Sequence, residues 1–374
     1  MENHGTPPFR AGLWVNARMR SCSSACSKNR LIGGVLIVTL VVLVGVGLWK
    51  TSGRRAADRI AVVRQCRAVM GTDCTLAAVV LRGGEGQAED VLQEAEAVLR
   101  AAEARMSSWL KDSEIGRLGA AEAGQEVPLS PDTIEVLRIA RRACQQTAGV
   151  FDVTCRPVVE LWREAGKRGE VPSPSELAAA RTASSWELIE LTDRGAVKGR
   201  TTARVDLGGI AKGWAIDRAA EVLRRAGLSG GMVDVGGDLV CFGEPPEEGH
   251  GRGSSWPVDV QNPLGPGYMA KLRLSGGAVC TSGGYARFTE IAGRRYSHII
   301  DPRSGLPAEA ALSVTVVAAD AVTADIWATA LSVLGREGLK RLPDGVEAML
   351  MVGTKDDHQI VCTASLRGML DEKR

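Results

Sequence analysis

Histidine is scarce in this chain of 374 residues: His4, His250, His298 and His358 are the only four. Chemistry that needs an imidazole base therefore has few possible addresses. Aromatic residues are few as well, at 4%, although eight of them are Trp. A large excess of either charge is missing. A net charge of +2 argues against a broad nucleic-acid surface, and no nucleic-acid partner is expected. The nine cysteines form no Cys-x-x-Cys pair. Their spacing suggests neither a zinc site nor a disulfide framework, so most read as small buried apolar residues. No internal repeat is present. What remains, 45% hydrophobic and 24% charged, is ordinary globular composition, long enough for one large domain or two small ones.

One stretch departs from that composition. Residues 31–49, LIGGVLIVTLVVLVGVGLW, carry no charge and are just long enough to span a bilayer as a helix. The run is too long for a usual signal-peptide core and no lipobox cysteine follows it, so it reads as an uncleaved anchor. Basic residues flank it on both sides, Arg10 to Arg30 before and Lys50 to Arg67 after, and the charge rule leaves orientation open. The expected organisation is a basic tail over 1–30, a transmembrane anchor over 31–49, a linker over 50–66 and one folded domain over 67–374.

Within that domain, helices and antiparallel hairpins intermix without a regular βαβ rhythm, which predicts an α+β fold. Residues 88–107 place Val91, Leu92, Ala95, Val98, Leu99, Ala102 and Met106 on one helical face. Ser130-Pro131 is a capped helix start. Residues 186–207 read as a hairpin turned at Asp193-Arg194-Gly195, and 232–242 as a strand broken at Gly236-Gly237-Asp238. A second hairpin turns near Ala292-Gly293, and a helix runs over 321–335.

The chemistry centres on VDLGGIAKGWAID, Val205 to Asp217. It reads as a strand ending on Asp206, a Gly208-Gly209 turn, and then a helix carrying Lys212 in its first turn. The turn is either only a tight connection or a place to hold a phosphate on helix N–H groups and a lysine. Asp325 and Thr329 lie four apart on the 321–335 helix. They are either a helix-start acid and a back-bonded threonine, or hard oxygen ligands suited to Mg²⁺. Trp109, just past the first helix, is either a core anchor or a flat face for an aromatic ring.

Seven motifs in order match one family: MGT at 70–72, MSSW at 106–109 with Ser113-Glu114, GVFDVT at 149–154, DLGGIAKG at 206–213, TSGGY at 281–285, SHIIDPRSG at 297–305 and ADIWATAL at 324–331. Together they resemble the ApbE family, the FAD:protein FMN transferases, across residues 67–365. The resemblance implies binding of FAD as substrate, use of Mg²⁺, and transfer of FMN through its phosphate to a threonine of a partner protein, with AMP released. By motif position it implies that Met70, Trp109, Val150, Phe151, Asp152, Asp206, Lys212 and Ile300 contact FAD. The metal would sit on the main-chain oxygen of Gly209 and the side chains of Asp325 and Thr329, and His298 would activate the threonine. Members are typically exported and membrane-attached. This implies an inner-membrane protein with its catalytic domain on the periplasmic side and a membrane electron-transfer subunit as acceptor. FAD hydrolysis and flavin binding without turnover are the alternatives. Three positions depart from the family pattern. Gly209 stands where alanine is common, and little should change. Arg156 stands where a small residue is common and is expected on the rim. Asp259 stands where glycine is usual.

Overall fold

The computed structural model describes residues 59–246, 255–284 and 288–370. The 31–49 segment and His250 lie outside them. Among the described residues, no helix is long and apolar enough to cross a membrane.

Alternating apolar residues build one eight-stranded sheet. Its order is Arg59–Val69, Thr72–Leu81, Gly230–Val235, Asp238–Gly243, Gly277–Ser282, Ser313–Ala318, Glu347–Gly353 and His358–Cys362. Every neighbouring pair is antiparallel. The period of two sends successive side chains to opposite faces. Leu76, Ala78 and Val80 enter the larger core, under the helices Glu85–Met106, Ala211–Arg225 and Ala321–Leu334. Ala77 and Val79 enter a second core, closed by the hairpin Trp256–Gln261 and Tyr268–Leu274. Both faces are covered, and the α+β expectation holds. Residues 114–205 form an outer layer of helices and a small three-stranded sheet.

Four expectations change. The first strand begins at Arg59, so the 59–66 part of the expected linker belongs to the sheet: its register with Thr72–Leu81 is continuous from Arg59↔Leu81 to Cys66↔Cys74. Residues 232–242 are not one broken strand but a hairpin, with Gly236 and Gly237 at φ +64° and +94° in its turn. The expected strand at Val205-Asp206 is an extended connection, in which Asp206 N–H donates to Val153 O at 2.8 Å. The expected loop over 166–175 is shorter, because helix Arg156–Arg168 ends on Gly169 in the left-handed conformation and helix Pro174–Thr182 begins soon after, on a capping box at Ser173. The acid at 259 also finds an account. Asp259 is buried directly opposite Lys271, whose ammonium lies 3.4 Å away.

Candidate active site

The site lies where two helices meet beside two hairpin tips. Helix Ala211–Arg225 crosses helix Ala321–Leu334 at Gly213. A Cβ there would lie 2.4 Å from the Ala321 carbonyl oxygen and 3.0 Å from Asp325 Cβ, so only glycine permits this approach. The contact lets Gly213 N–H donate to Asp325 Oδ2 at 3.1 Å. Asp217, one turn further on, accepts from Ala321 N–H and Val322 N–H at 2.8 and 2.9 Å. It caps the second helix from the first and sets where Asp325 stands. In the sequence Asp217 is only the last residue of the VDLGGIAKGWAID stretch; nothing local announced its partner a hundred residues away.

Lys212 pairs with Asp238, which is held in turn by Thr281 N–H at 2.8 Å. Burial opposes charge on Lys212, yet Asp238 and Asp325 together raise its ammonium above the ordinary lysine value. Burial first, and then the charge of Asp238, push Asp325 up to about 7, with Lys212 pulling the other way. Two carboxylates thus face one ammonium in a buried place. Asp238 was missed in the sequence, where its only signal was an acid directly after Gly236-Gly237.

Gly209 lies against the same spot. A Cβ on it would stand 2.9 Å from Thr329 Oγ1 and 3.2 Å from the Phe151 ring. An alanine here would therefore need Thr329 or Phe151 to give way, which runs against the expectation that little would change. The back-bonding expected of a helical threonine is seen at Ser332, whose hydroxyl donates to Ala328 O at 2.8 Å. Thr329 makes no such bond among the described residues. An unengaged hydroxyl, a glycine main chain and an under-neutralised carboxylate are hard oxygen donors on one spot, and they fit a divalent cation.

A second cluster flanks this one. Asp206 Oδ1 accepts from Gly208 N–H at 2.9 Å, and Oδ2 accepts from Arg156 Nη1 at 2.7 Å. Arg156 is 5% exposed, not on the rim as expected. It also donates to Ser108 at 2.9 Å and Glu160 at 2.8 Å, and its guanidinium lies 4.1 Å from the centroid of the Trp109 ring. Burial opposes its charge, but Asp206 and Glu160 hold its pKa above the ordinary value. Trp109 itself is 58% exposed, with Arg163 also over its ring at 4.5 Å, so it is no core anchor.

The remaining expected residues divide. Met70 sits at φ +51° in the turn between the first two strands. That tip adjoins the Gly236 turn, where an added Cβ would meet Thr72 at 2.7 Å. Val150 and Phe151 are core side chains. Asp152 folds back onto Thr154, accepting from its N–H and hydroxyl at 2.8 Å each; burial raises its pKa. Ile300 is buried in a small separate core with Val158, Trp162 and Ile291. His298 is exposed. It follows Ser297, whose hydroxyl would lie 3.3 Å from a Cβ on Gly284, two residues beyond the strand whose Thr281 holds Asp238.

The chain is similar to proteins already known. The family model described as ApbE family matches residues 70–350. A relative in Klebsiella pneumoniae (strain 342), named FAD:protein FMN transferase, is 32% identical over 265 residues, 68% of this chain and 73% of its own length. One of the same name in Treponema pallidum (strain Nichols) is 31% identical over 350 residues, 89% of this chain and 93% of its own. The solved flavin transferase ApbE from Vibrio cholerae superposes with a TM-score of 0.71 at 28% identity, over 84% of this chain and 100% of the other. The apo flavinyl transferase ApbE of Pseudomonas stutzeri gives 0.72 at 28% identity, over 84% and 98%. Family model, sequence identity and superposition converge, and the chain belongs to the ApbE family.

Proposed function

We propose that this chain is a flavin transferase that breaks the phosphoanhydride of FAD and joins the FMN phosphate to a threonine hydroxyl of a partner protein, releasing AMP. The names of its relatives support FAD as substrate and a protein as acceptor. The observation that carries the chemistry is the buried Asp238–Lys212–Asp325 group beside Thr329 and Gly209. With two carboxylates to one ammonium, it would repel a pyrophosphate. The donors present would hold Mg²⁺ on the Gly209 carbonyl, Asp325 and Thr329. Such an ion would supply the positive charge that neutralises the phosphates. Phosphoryl transfer is mostly alignment and charge neutralisation, and these residues provide both.

The chain's own groups do the rest. Lys212, at the start of its helix, presents charge to the phosphates. Trp109 offers a flat face to an aromatic ring, and the Met70 tip and the 150–152 main chain line the flavin nucleotide. His298, exposed where an acceptor would approach, takes the threonine proton. The acceptor is a membrane electron-transfer subunit. Residues 31–49 anchor the enzyme in the inner membrane, with its domain on the periplasmic side.

The test is incubation with FAD, Mg²⁺ and a threonine-bearing acceptor peptide, followed by mass analysis. A flavinylated peptide and AMP are expected, and Asp325→Ala should abolish the Mg²⁺-dependent product while keeping the circular dichroism of the fold. Free FMN in place of modified peptide would make the enzyme a FAD pyrophosphatase. Neither product would leave a flavin-binding protein. Turnover by Asp325→Ala with unchanged Mg²⁺ dependence would overturn the metal assignment.

A further inference from the structure

The spacing of the cysteines suggests no disulfide, but the fold brings two of them together. Cys66 and Cys74 are direct partners across the first two antiparallel strands. Directly opposed residues of such strands have Cα atoms about 4.5–5.5 Å apart and side chains on the same face. That is within the range a disulfide requires. Both side chains are buried and both face the helical layer.

Their position in the hairpin adds a reason. Cys66↔Cys74 is the last regular pair; beyond it the register shifts. The seven residues between them form a tip in which Ala68 and Met70, neither of them glycine, hold φ +52° and +51°. Non-glycine residues keep such a conformation only when their surroundings impose it. The first strand is also the outer edge of the sheet, so one side of this tip has no neighbouring strand to restrain it. A covalent link at the neck would do so.

We propose that Cys66 and Cys74 form a cross-strand disulfide that closes the Met70 tip. The oxidant is an external disulfide, either a small molecule such as oxidised glutathione or a thiol–disulfide oxidoreductase. Cys66 as thiolate attacks one sulfur of that disulfide, giving a mixed disulfide and releasing one thiol. The Cys74 sulfur then displaces the second thiol. Two protein thiols are oxidised and one external disulfide is reduced to two thiols, so atoms and electrons balance. Cys66 suits the first role. The neighbouring Cys74 thiol holds its pKa below the ordinary thiol value against the opposing effect of burial, with Arg64 assisting and Glu96 opposing. Cys74 is raised by its Cys66 neighbour and by burial. Because both sulfurs are covered in the folded chain, the link forms as the two strands pair during folding. Its presence in the cell rests on the periplasmic placement proposed above; its formation in the tube does not.

The experiment refolds the full chain, reduced and denatured in detergent, in a mixture of reduced and oxidised glutathione. The product is alkylated under denaturing conditions without reductant and digested. A linked pair of peptides containing Cys66 and Cys74 is expected, with both thiols protected from alkylation and the linked mass lost on reduction. The linked protein should melt several degrees higher than its reduced form. The double variant Cys66→Ala/Cys74→Ala should melt at one temperature with or without reductant. Recovery of both cysteines fully alkylated from folded protein, or linkage of either to another cysteine instead, would overturn the proposal. A linked product from refolding beside reduced thiols in protein taken from cells would refute the periplasmic placement and leave the geometry standing.

Discussion

Arg156 shows how far one side chain can depart from its expected place. A long cation where a small residue is common suggests a solvated rim, yet this guanidinium is buried and spends its donors on Asp206, Ser108 and Glu160. Arg156→Ala would leave the Asp206 carboxylate without its partner. Breaking a fully buried pair costs roughly 3–5 kcal/mol; Asp206 keeps some contact with solvent, so about 2–3 kcal/mol is expected in urea unfolding. FAD affinity should fall with it, because Asp206 and Trp109 both lose a neighbour. A loss under 0.5 kcal/mol on the order of a surface substitution would mean that the network contributes little. His298 makes the opposite case. It is exposed, so His298→Ala should leave both stability and FAD binding near wild type while transfer to threonine drops by about 10²–10⁴. The deficit should shrink as pH rises and hydroxide replaces the base. Normal transfer rates in this variant would remove the imidazole from the mechanism.

Between elements, the decisive contact is the crossing of helices Ala211–Arg225 and Ala321–Leu334. Gly213→Ala would drive a methyl group into the Ala321 carbonyl. Overpacking of this kind costs about 1–3 kcal/mol, and it would move Asp325 away from Gly209. Turnover should therefore fall much further than the melting temperature suggests, and Mg²⁺ titration should show a weakened site. Unchanged Mg²⁺ dependence would separate the crossing from the metal donors. The cap across this crossing also carries a pH signature. Burial pushes Asp217 up to about 6, while its two N–H bonds pull it down. The unfolded carboxyl titrates near 3.9, so between about pH 4 and 6 the folded state holds a proton that the unfolded state has lost. Stability from this group is present below pH 4 and declines as pH rises through 6. The difference in unfolding free energy between wild type and Asp217→Asn, which cannot ionise, should shift against the wild type across that window. A difference independent of pH would show that Asp217 ionises normally.

For the whole molecule, the proposed anchor can be tested by which side of a membrane the domain occupies. Placement outside the cytoplasm predicts that a reporter active only in the cytoplasm, fused after Arg374, is silent, and that deleting residues 31–49 releases the enzyme from the membrane fraction. A bright reporter would return the decision to the arginines that follow the apolar run.

Much of this architecture was legible in the linear chain. Helix Glu85–Met106 follows from its apolar stripe, helix Pro131–Gln146 from Ser130 and Pro131, and the 292–293 turn from its own residues, because periodicity and capping are local properties. That Asp325 and Thr329 share a face of helix Ala321–Leu334 was legible too, since four-residue spacing on a helix is a local property. Three things were decided only by the tertiary structure. Asp217 and Asp238 became parts of the site because helix crossing and strand register bring them there from remote positions. Arg156 became an interior residue because two of its three partners, Ser108 and Asp206, come from remote segments. Cys66 and Cys74 became neighbours because antiparallel register, and not spacing, determines which residues of two strands face each other.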